Sequence, residues 1–308
     1  MIAWTVLGRG QKPVLFKVRL LPNFIAIVVA IASLCFTGFT ERKMTLQSFS
    51  GKQFYFIAMA PLSLLIWCTQ FAPIYAQSPP PMPRFELDTD WPQLPLGDNW
   101  LTGGLGGMCG GPNDHVYLLN RQNVVEADLD GARLAPPIIE LDAQGQVVRG
   151  WGDPDLLGDR LHDCHADADG NLWIVAAATG HVQKWRGDGS RLLLQIGQSG
   201  VYDSSDGTRQ GTPLNSDRAQ FFLPAAIDVN PESGEIFVAD GELPGGNTRI
   251  AVLNSRGEFL RQWRLRRDAG EEGVIELPHC IRLSRDGLVY VCDRRADRIQ
   301  VFDQSGNF

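Results

Sequence analysis

Cysteine is scarce in this chain, and its scarcity limits the fold classes that the sequence allows. Four of the six cysteines follow residue 76, at positions 109, 164, 280 and 292, and no C-x-x-C pair is present. A disulfide-framework domain is therefore excluded, because four cysteines are too few for one. Cys280 and Cys292 stand at facing heights of a hairpin predicted to turn at residues 285–287. A cross-strand disulfide and two buried free thiols are the two alternatives there.

Acidic residues also outnumber basic residues in this chain. The chain has 28 Lys and Arg residues against 35 Asp and Glu residues, a formal net charge of −7. Seven basic residues and one acidic residue precede position 77, so residues 77–308 contain 21 basic and 34 acidic side chains. This acidic balance, without a cluster of basic residues, argues against a nucleic-acid partner and is compatible with a small-molecule or peptide substrate.

No apolar run reaches the length of about 20 residues that a membrane-spanning helix needs. Two shorter runs occupy residues 24–39 and 54–68. The second run follows Lys52 and is succeeded by Ala76 and a proline-rich stretch. This order is typical of a secretory signal peptide with cleavage after Ala76. The alternatives are two membrane segments or an uncleaved anchor.

These features divide the chain into four predicted segments. Residues 1–43 are an upstream extension or a membrane segment, and Met44 begins a signal peptide at residues 44–76. Residues 77–100 form a proline-rich linker, and residues 101–308 form the folded domain. We therefore expect an extracytoplasmic protein, periplasmic or secreted, that is membrane-anchored if its N-terminal segments are not cleaved.

The folded domain repeats one phrase four times. Each copy has a strand rich in Val, Ile, Phe and Tyr, followed by a closing hairpin that contains a glycine. The strands occupy residues 115–121, 171–177, 235–241 and 288–294, and the hairpin glycines are Gly145, Gly189, Gly257 and Gly306. A period of roughly 45–65 residues with four short strands per copy is typical of a β-propeller with one blade per copy. The predicted fold class is therefore all-β.

The fourth copy ends at Phe308, before its closing strand. Four blades, the last of them incomplete, would leave an unpaired strand edge and would not easily close a ring. We therefore expect the chain to hold about four of six blades. It would be either a C-terminally incomplete fragment or a chain completed by a second copy.

Histidine recurs at one place in the blade starts. Leu-His-Asp at residues 161–163 and Leu-Pro-His at residues 277–279 align with Leu-Pro-Ala at residues 223–225, so His162 and His279 share a repeat position. First strands line a propeller channel, and blades two apart in a six-bladed ring differ in rotation by about 120°. The two imidazoles should therefore converge, and a third His from blade six would complete a zinc site with an open position. The alternative is that each histidine only caps a strand in a polar channel.

Other polar side chains are expected near this channel. Arg121 and Arg294 each follow a second strand near the same end, and a guanidinium is suited to gripping a carboxylate. Strand alternation puts Cys164 on the same side as the first histidine, as a small channel-lining residue or, less favourably, a thiolate ligand. The same alternation turns His165 away from the channel, and His181 is expected in a loop.

Several phrases resemble those of one known family. These are H-x4-D-x-D-G-N-L-W at residues 162–173, P-E-S-G-E-I-F-V-A-D-G and N-T-R-I within 231–250, L-P-H at 277–279, and D-R-R-A-D-R-I-Q-V-F at 293–302. They are similar to the peptidylamidoglycolate lyases and their bacterial relatives with NHL repeats. The resemblance covers blades one to four, and it implies an NHL-type propeller with six blades.

The resemblance also implies a site. In that family zinc is held by three histidines on alternate blades, with a structural calcium deeper in the channel. His162 and His279 would be zinc ligands, and Arg121 and Arg294 would bind the substrate. Glu242 stands where the family has a tyrosine, so a carboxylate would have to act as the catalytic base.

Two functions follow from these observations. The first is an exported, zinc-dependent lyase that cleaves peptidyl-α-hydroxyglycines, a type of carbinolamide, to an amide and glyoxylate. The alternative is a non-catalytic NHL propeller that binds a peptide, glycan or protein partner. Because the third zinc histidine and the calcium Asp would follow Phe308, the 308-residue chain alone is expected to lack lyase turnover and to lose zinc readily.

The predicted signal peptide has a direct test. N-terminal sequencing of exported material should begin near Gln77, because cleavage is expected after the small residue Ala76. Recovery of residues that precede Met44 would contradict both the signal peptide and the proposed start.

Overall fold

The computed structural model describes residues 3–6, 14–17, 84–267 and 276–308, in two units, Met1–Arg84 and Phe85–Phe308. In the first unit, strands β1 (Ala3–Val6) and β2 (Val14–Lys17) form an antiparallel hairpin. The predicted signal peptide and both apolar runs lie outside the described residues. Within the described part of the chain, no helix has the length and apolar character needed to cross a membrane.

The second unit is built from antiparallel sheets whose strands follow chain order. Blade one contains β4 (Leu105–Gly110), β5 (Val116–Asn120), β7 (Ile138–Leu141) and β8 (Val147–Trp151), with the short parallel pair β3 (Trp100–Leu101) and β6 (Arg133–Leu134) beside it. Helix α1 (Pro154–Leu157) leads to blade two, which contains β9 (Leu161–Ala166), β10 (Leu172–Ala176), β11 (His181–Trp185) and β12 (Leu192–Ile196). Blade three contains β13 (Pro224–Val229), β14 (Ile236–Asp240), β15 (Arg249–Leu253) and β16 (Phe259–Trp263). The described part of blade four contains β17 (Pro278–Leu283), β18 (Leu288–Asp293) and β19 (Arg298–Asp303).

The four sheets are arranged as propeller blades. The first strand of each blade contacts that of the next, β4 with β9, β9 with β13 and β13 with β17. A separate cluster of buried apolar side chains fills each of the three spaces between successive blades. The four hairpin glycines identified from the sequence all have φ between 75° and 89°, a backbone conformation that favours glycine. The prediction of an all-β propeller with about four blades is confirmed.

Part of the predicted linker packs against blade one. Trp91, Leu96 and Trp100 join Leu118 and Ile139 in an apolar cluster. Burial of large apolar side chains stabilises a fold by about 1.5–3 kcal/mol each. The segment that precedes the first blade is therefore packed onto that blade.

Two disulfides involve the first strands of the blades. Cys109 on β4 is bonded to Cys164 on β9, so blades one and two are covalently linked, with Cα atoms 5.6 Å apart. Cys280 on β17 is bonded to the directly opposite Cys292 on β18, which selects the disulfide alternative for that pair. The prediction that Cys164 lines the channel or supplies a thiolate is wrong, because its side chain turns towards blade one.

A buried ionic cluster holds the loops of blade three. Arg249 is fully buried, and its Nε donates to Asp240 Oδ2 at 3.1 Å while its Nη2 lies 3.5 Å from Asp203 Oδ2. The amide of Asn247 donates to the same two carboxylates at 2.7 and 3.0 Å. Burial raises the pKa of Asp240 to about 6, against the opposing effect of Arg249. The cluster joins the segment before blade three to the insertion that follows β14.

Removal of the buried cation should destabilise the propeller strongly. Arg249→Ala is expected to lower the free energy of unfolding by about 3–5 kcal/mol, because it leaves the buried carboxylate of Asp240 without its cation. Denaturant unfolding measures this loss. The matched control, Arg256→Ala, removes an exposed guanidinium paired with Glu258 and should leave the unfolding midpoint unchanged. Equal midpoints for the two variants would contradict the role of the cluster.

Candidate functional site

The first strands of all four blades share a β-bulge. In each strand the pairing register shifts at the same repeat position and leaves one residue unpaired: Gly106, His162, Ala225 and His279. A bulge bends the strand and turns side chains out of strict alternation. The alignment of blade starts made from the sequence therefore corresponds to a real structural position. The bulge also explains why alternation misplaced Cys164 relative to His162.

The two histidines come together, as expected from their shared repeat position. The ring centroids of His162 and His279 lie 4.9 Å apart, with the ring planes at 85°. His162 Nδ1 is 2.7 Å from the backbone oxygen of Ala225, which occupies the same position in the blade between them. Because a carbonyl oxygen only accepts, Nδ1 donates this hydrogen bond. The Nε2 atom of His162 is thereby directed to other partners.

Glu242 supplies the group that both histidines contact. Its Oε2 lies 3.0 Å from His162 Nε2 and 2.8 Å from His279 Nε2, and its side chain is only 1% exposed. The backbone N–H of Glu242 donates to the carbonyl of Leu223 at 2.8 Å, just before β13. Gly241 permits this approach, since a Cβ there would lie 2.5 Å from the ring of Pro278. The close backbone contact brings Glu242 beside the histidine of blade four.

Two arginines complete the surroundings of this carboxylate. Arg160 Nη2 donates to Glu242 Oε1 at 2.6 Å, and Arg294 Nη1 lies 3.4 Å from Glu242 Oε2. Arg160 was missed from the sequence, although it directly precedes the Leu-His-Asp phrase of blade two. Its φ of 55° is unusual for a residue other than glycine, and such outliers cluster at functional sites. Arg294 was identified from the sequence, and the structure places it beside Glu242.

Arg121 lines a neighbouring cavity. This cavity has a volume of about 350 Å³, and Arg160 lines it as well. Arg121 Nε is 3.4 Å from the carbonyl oxygen of Leu161, the residue before His162. The cavity thus adjoins the histidine site, and its two arginines share the lining with two aspartates, Asp155 and Asp159. The guanidinium groups offer charge-assisted donors to an anionic ligand group, while the two carboxylates offset part of their charge.

Opposing effects act on the pKa of Glu242. Burial raises it, but the hydrogen bonds and charges of His162 and His279 outweigh burial, so the pKa is well below its usual range. A carboxylate with so low a pKa is a weak base. In the metal-free structure Glu242 is therefore a charged acceptor for both imidazoles, and its role as a catalytic base stays a prediction.

The remaining histidines lie outside this group. His165 Nδ1 is 2.8 Å from Asp228 Oδ1, a contact between blades two and three. His181 is fully buried and is the first residue of β11, so its assignment to a loop is wrong. The preceding turn ends at Gly180, so His181 already belongs to the strand. Burial lowers the pKa of His181, which favours a neutral imidazole in the core.

The donor set at the site suits a transition metal. His162, Glu242 and His279 each offer one ligand atom, and the three atoms lie within 4.8 Å of one another. Two imidazoles and a carboxylate form a ligand set of catalytic zinc sites, in which a fourth position stays open. The residues present therefore fit a zinc ion.

Known proteins contain the same repeat, and their sequences are similar to much of this chain. A family model described as NHL repeat matches residues 277–302. Peptidyl-glycine alpha-amidating monooxygenase A of Xenopus laevis is 29% identical over 73% of this chain and 24% of its own length. NHL repeat-containing protein 3 of Mus musculus is 26% identical over 72% of this chain and 57% of its own length. The chain therefore spans a quarter to somewhat more than half of these relatives.

Among solved structures, virginiamycin B lyase from Staphylococcus aureus matches with a TM-score of 0.42 and 16% identity, over 66% of this chain and 54% of that one. The four blades and the matched repeat agree with each other. The chain is a β-propeller that contains an NHL repeat in blade four. In this propeller the bulged histidines of blades two and four face a carboxylate that follows the second strand of blade three.

The hydrogen bond to Ala225 predicts a proton on one ring nitrogen of His162. In the metal-free protein Nδ1 should carry a proton, because the carbonyl oxygen at 2.7 Å needs a donor. Long-range ¹H–¹⁵N correlation spectra distinguish a protonated from an unprotonated Nδ1, and a His162→Gln variant assigns the signal. A ring without a proton on Nδ1 would contradict the arrangement.

Proposed function

We propose that this propeller is an exported, zinc-dependent lyase that cleaves peptidyl-α-hydroxyglycines to a peptide amide and glyoxylate. The observation that carries the proposal is the convergence of His162 and His279, from alternate blades, beside arginines at the same site. Similarity to the amidating monooxygenase of Xenopus laevis supports the substrate class, because its name specifies a peptidyl-glycine.

His162 and His279 would hold the zinc through their Nε2 atoms. An ion held there would supply Lewis-acid chemistry, which would lower the pKa of the substrate hydroxyl. The Nδ1 contact of His162 with the Ala225 carbonyl orients the ring for this role. The third histidine and the structural calcium that the resemblance implies stay predictions.

The arginines would bind the substrate carboxylate. Arg121 lines the cavity of about 350 Å³ next to the histidines, and a guanidinium binds a carboxylate through two parallel hydrogen bonds. Arg294, half-exposed beside Glu242, adds a second positive charge. With the carboxylate held by arginine, the hydroxyl-bearing carbon would lie near the histidines.

The proposed reaction balances without an oxidant or a reductant. The bond between the amide nitrogen and the α-carbon breaks, and its electron pair goes to the nitrogen, which takes up a proton. The hydroxyl group loses its proton, and its C–O bond becomes the carbonyl of glyoxylate. One proton is lost and one is gained.

A second function is the non-catalytic binding of a peptide, glycan or protein. Similarity to NHL repeat-containing protein 3 of Mus musculus covers 72% of this chain, nearly as much as the similarity to the amidating monooxygenase. The weak basicity of Glu242 also fits a binding site. An assay of turnover separates the two functions.

The assay uses protein expressed from the complete gene, loaded with zinc and incubated with a peptidyl-α-hydroxyglycine. Glyoxylate should be released, and His162→Ala or His279→Ala should reduce kcat/KM by about 100-fold or more, because metal ligation contributes several kcal/mol. His115→Ala is the matched control, since His115 pairs with Glu140 away from the site. Arg121→Ala should mainly raise KM.

Absence of glyoxylate from the zinc-loaded protein would contradict the lyase and favour the binding function. Equal losses in His115→Ala and His162→Ala would show that the effect is structural, which would remove the histidine site from the mechanism.

A further inference from the structure

We propose that Glu242 is the third protein ligand of the metal, so that residues of blades two, three and four alone form a complete divalent-cation site. This inference rests on the proposed metal role of His162 and His279. It assigns Glu242 a role other than the base expected from the sequence, and it removes the need for a histidine from a later blade.

The first step is the direction of the ligand atoms. His162 donates from Nδ1 to the Ala225 carbonyl, so Nε2 is its ring nitrogen available to a metal. Nε2 of His162 lies 3.0 Å from Glu242 Oε2, and Nε2 of His279 lies 2.8 Å from the same oxygen. In the metal-free protein, protons on the histidines hold these contacts. A divalent ion that displaces those protons can bind all three atoms together.

The second step is the spacing. In a tetrahedral zinc site with bonds of about 2.0–2.1 Å, ligand atoms lie roughly 3.3 Å apart. The two contacts from Glu242 Oε2 are shorter than this by a few tenths of an ångström, and all three ligand atoms lie within 4.8 Å of one another. Rotation of the three side chains would bring these atoms to the spacing of a zinc site.

The third step is the orientation of the carboxylate. Arg160 holds Glu242 Oε1 at 2.6 Å, which leaves Oε2 directed at the two imidazoles. Hydrogen bonds of this kind to the distal oxygen or nitrogen of a ligand fix its orientation in metal sites. Arg160 is thus a positioning residue, and the backbone contact of Glu242 with Leu223 fixes the position of its main chain.

The fourth step is access. Glu242 is buried at 1% exposure, whereas His279 is 30% exposed and Arg294 is half-exposed. The carboxylate therefore lies at the inner side of the group, and the site opens to solvent past His279. An ion could enter from this side and would keep a position for a fourth, non-protein ligand.

Cobalt binding to the 308-residue chain tests the inference. Co²⁺ titration should reach one equivalent and give the visible absorption of a four- or five-coordinate ion. Glu242→Gln should weaken the affinity by about 100-fold or more, beyond the range of most outer-shell changes. Glu276→Gln is the matched control, because Glu276 is also buried and ion-paired with an arginine outside the group. It should bind Co²⁺ as the unchanged chain does.

The outcomes separate the two proposals. If His162→Ala and His279→Ala abolish binding while Glu242→Gln keeps the affinity and spectrum, the metal site stands and the role of Glu242 is refuted. If the unchanged chain does not bind Co²⁺, this inference is refuted, whereas lyase activity of the complete-gene protein is judged by glyoxylate release.

A measurement on the unchanged chain keeps the inference testable even if the Glu242→Gln variant misfolds. X-ray absorption of the zinc-loaded, unchanged chain should show two imidazoles and additional oxygen ligands. Three imidazoles, or one, would overturn the assignment. Circular dichroism of the metal-free variants shows whether a loss of binding accompanies a loss of fold.

Discussion

The site depends on a one-residue bulge that recurs on the first strand of every blade. Without it, strict alternation would send His162 and Cys164 to the same side of β9. With it, Cys164 reaches Cys109 of blade one, and His162 contacts the backbone of blade three. The bulge therefore determines both the disulfide between blades one and two and the direction of the His162 imidazole. Because the bulge is part of the repeat, His279 is aimed in the same way from blade four.

The position of Glu242 depends on the buried ionic cluster of blade three. Asp240 precedes Glu242 by two residues, accepts from the backbone N–H of Phe222 at 3.0 Å, and pairs with Arg249. Buried ion pairs gain little net stability, since desolvation offsets attraction, but removal of one partner is costly. The cluster therefore restricts the backbone conformation of the segment that follows β14. For this reason, the stability of blade three and the position of the Glu242 carboxylate depend on the same contacts.

The sequence predicted those parts of the structure that repeat. Four similar phrases predicted four blades, and two aligned histidines predicted their own convergence, because equivalent positions in a propeller are related by rotation. Glu242 was seen only as a replacement for a tyrosine. Its contacts arise from an approach of Gly241 to Pro278, which no local pattern encodes. Arg160 was missed for a similar reason, since its contact with Glu242 spans 82 residues.

The small residue between the two histidines has a consequence for the third ligand. A histidine at position 225 would compete for space with rings whose centroids already lie 4.9 Å apart. Ala225 instead contributes its carbonyl to His162 and leaves the space to Glu242, which enters from the far end of β14. The first strand of blade three offers no side-chain ligand atom at the repeat position. Glu242, which follows the second strand of that blade, supplies the ligand atom instead. Three adjacent blades can therefore surround one ion, although only two of them place a histidine at the repeat position.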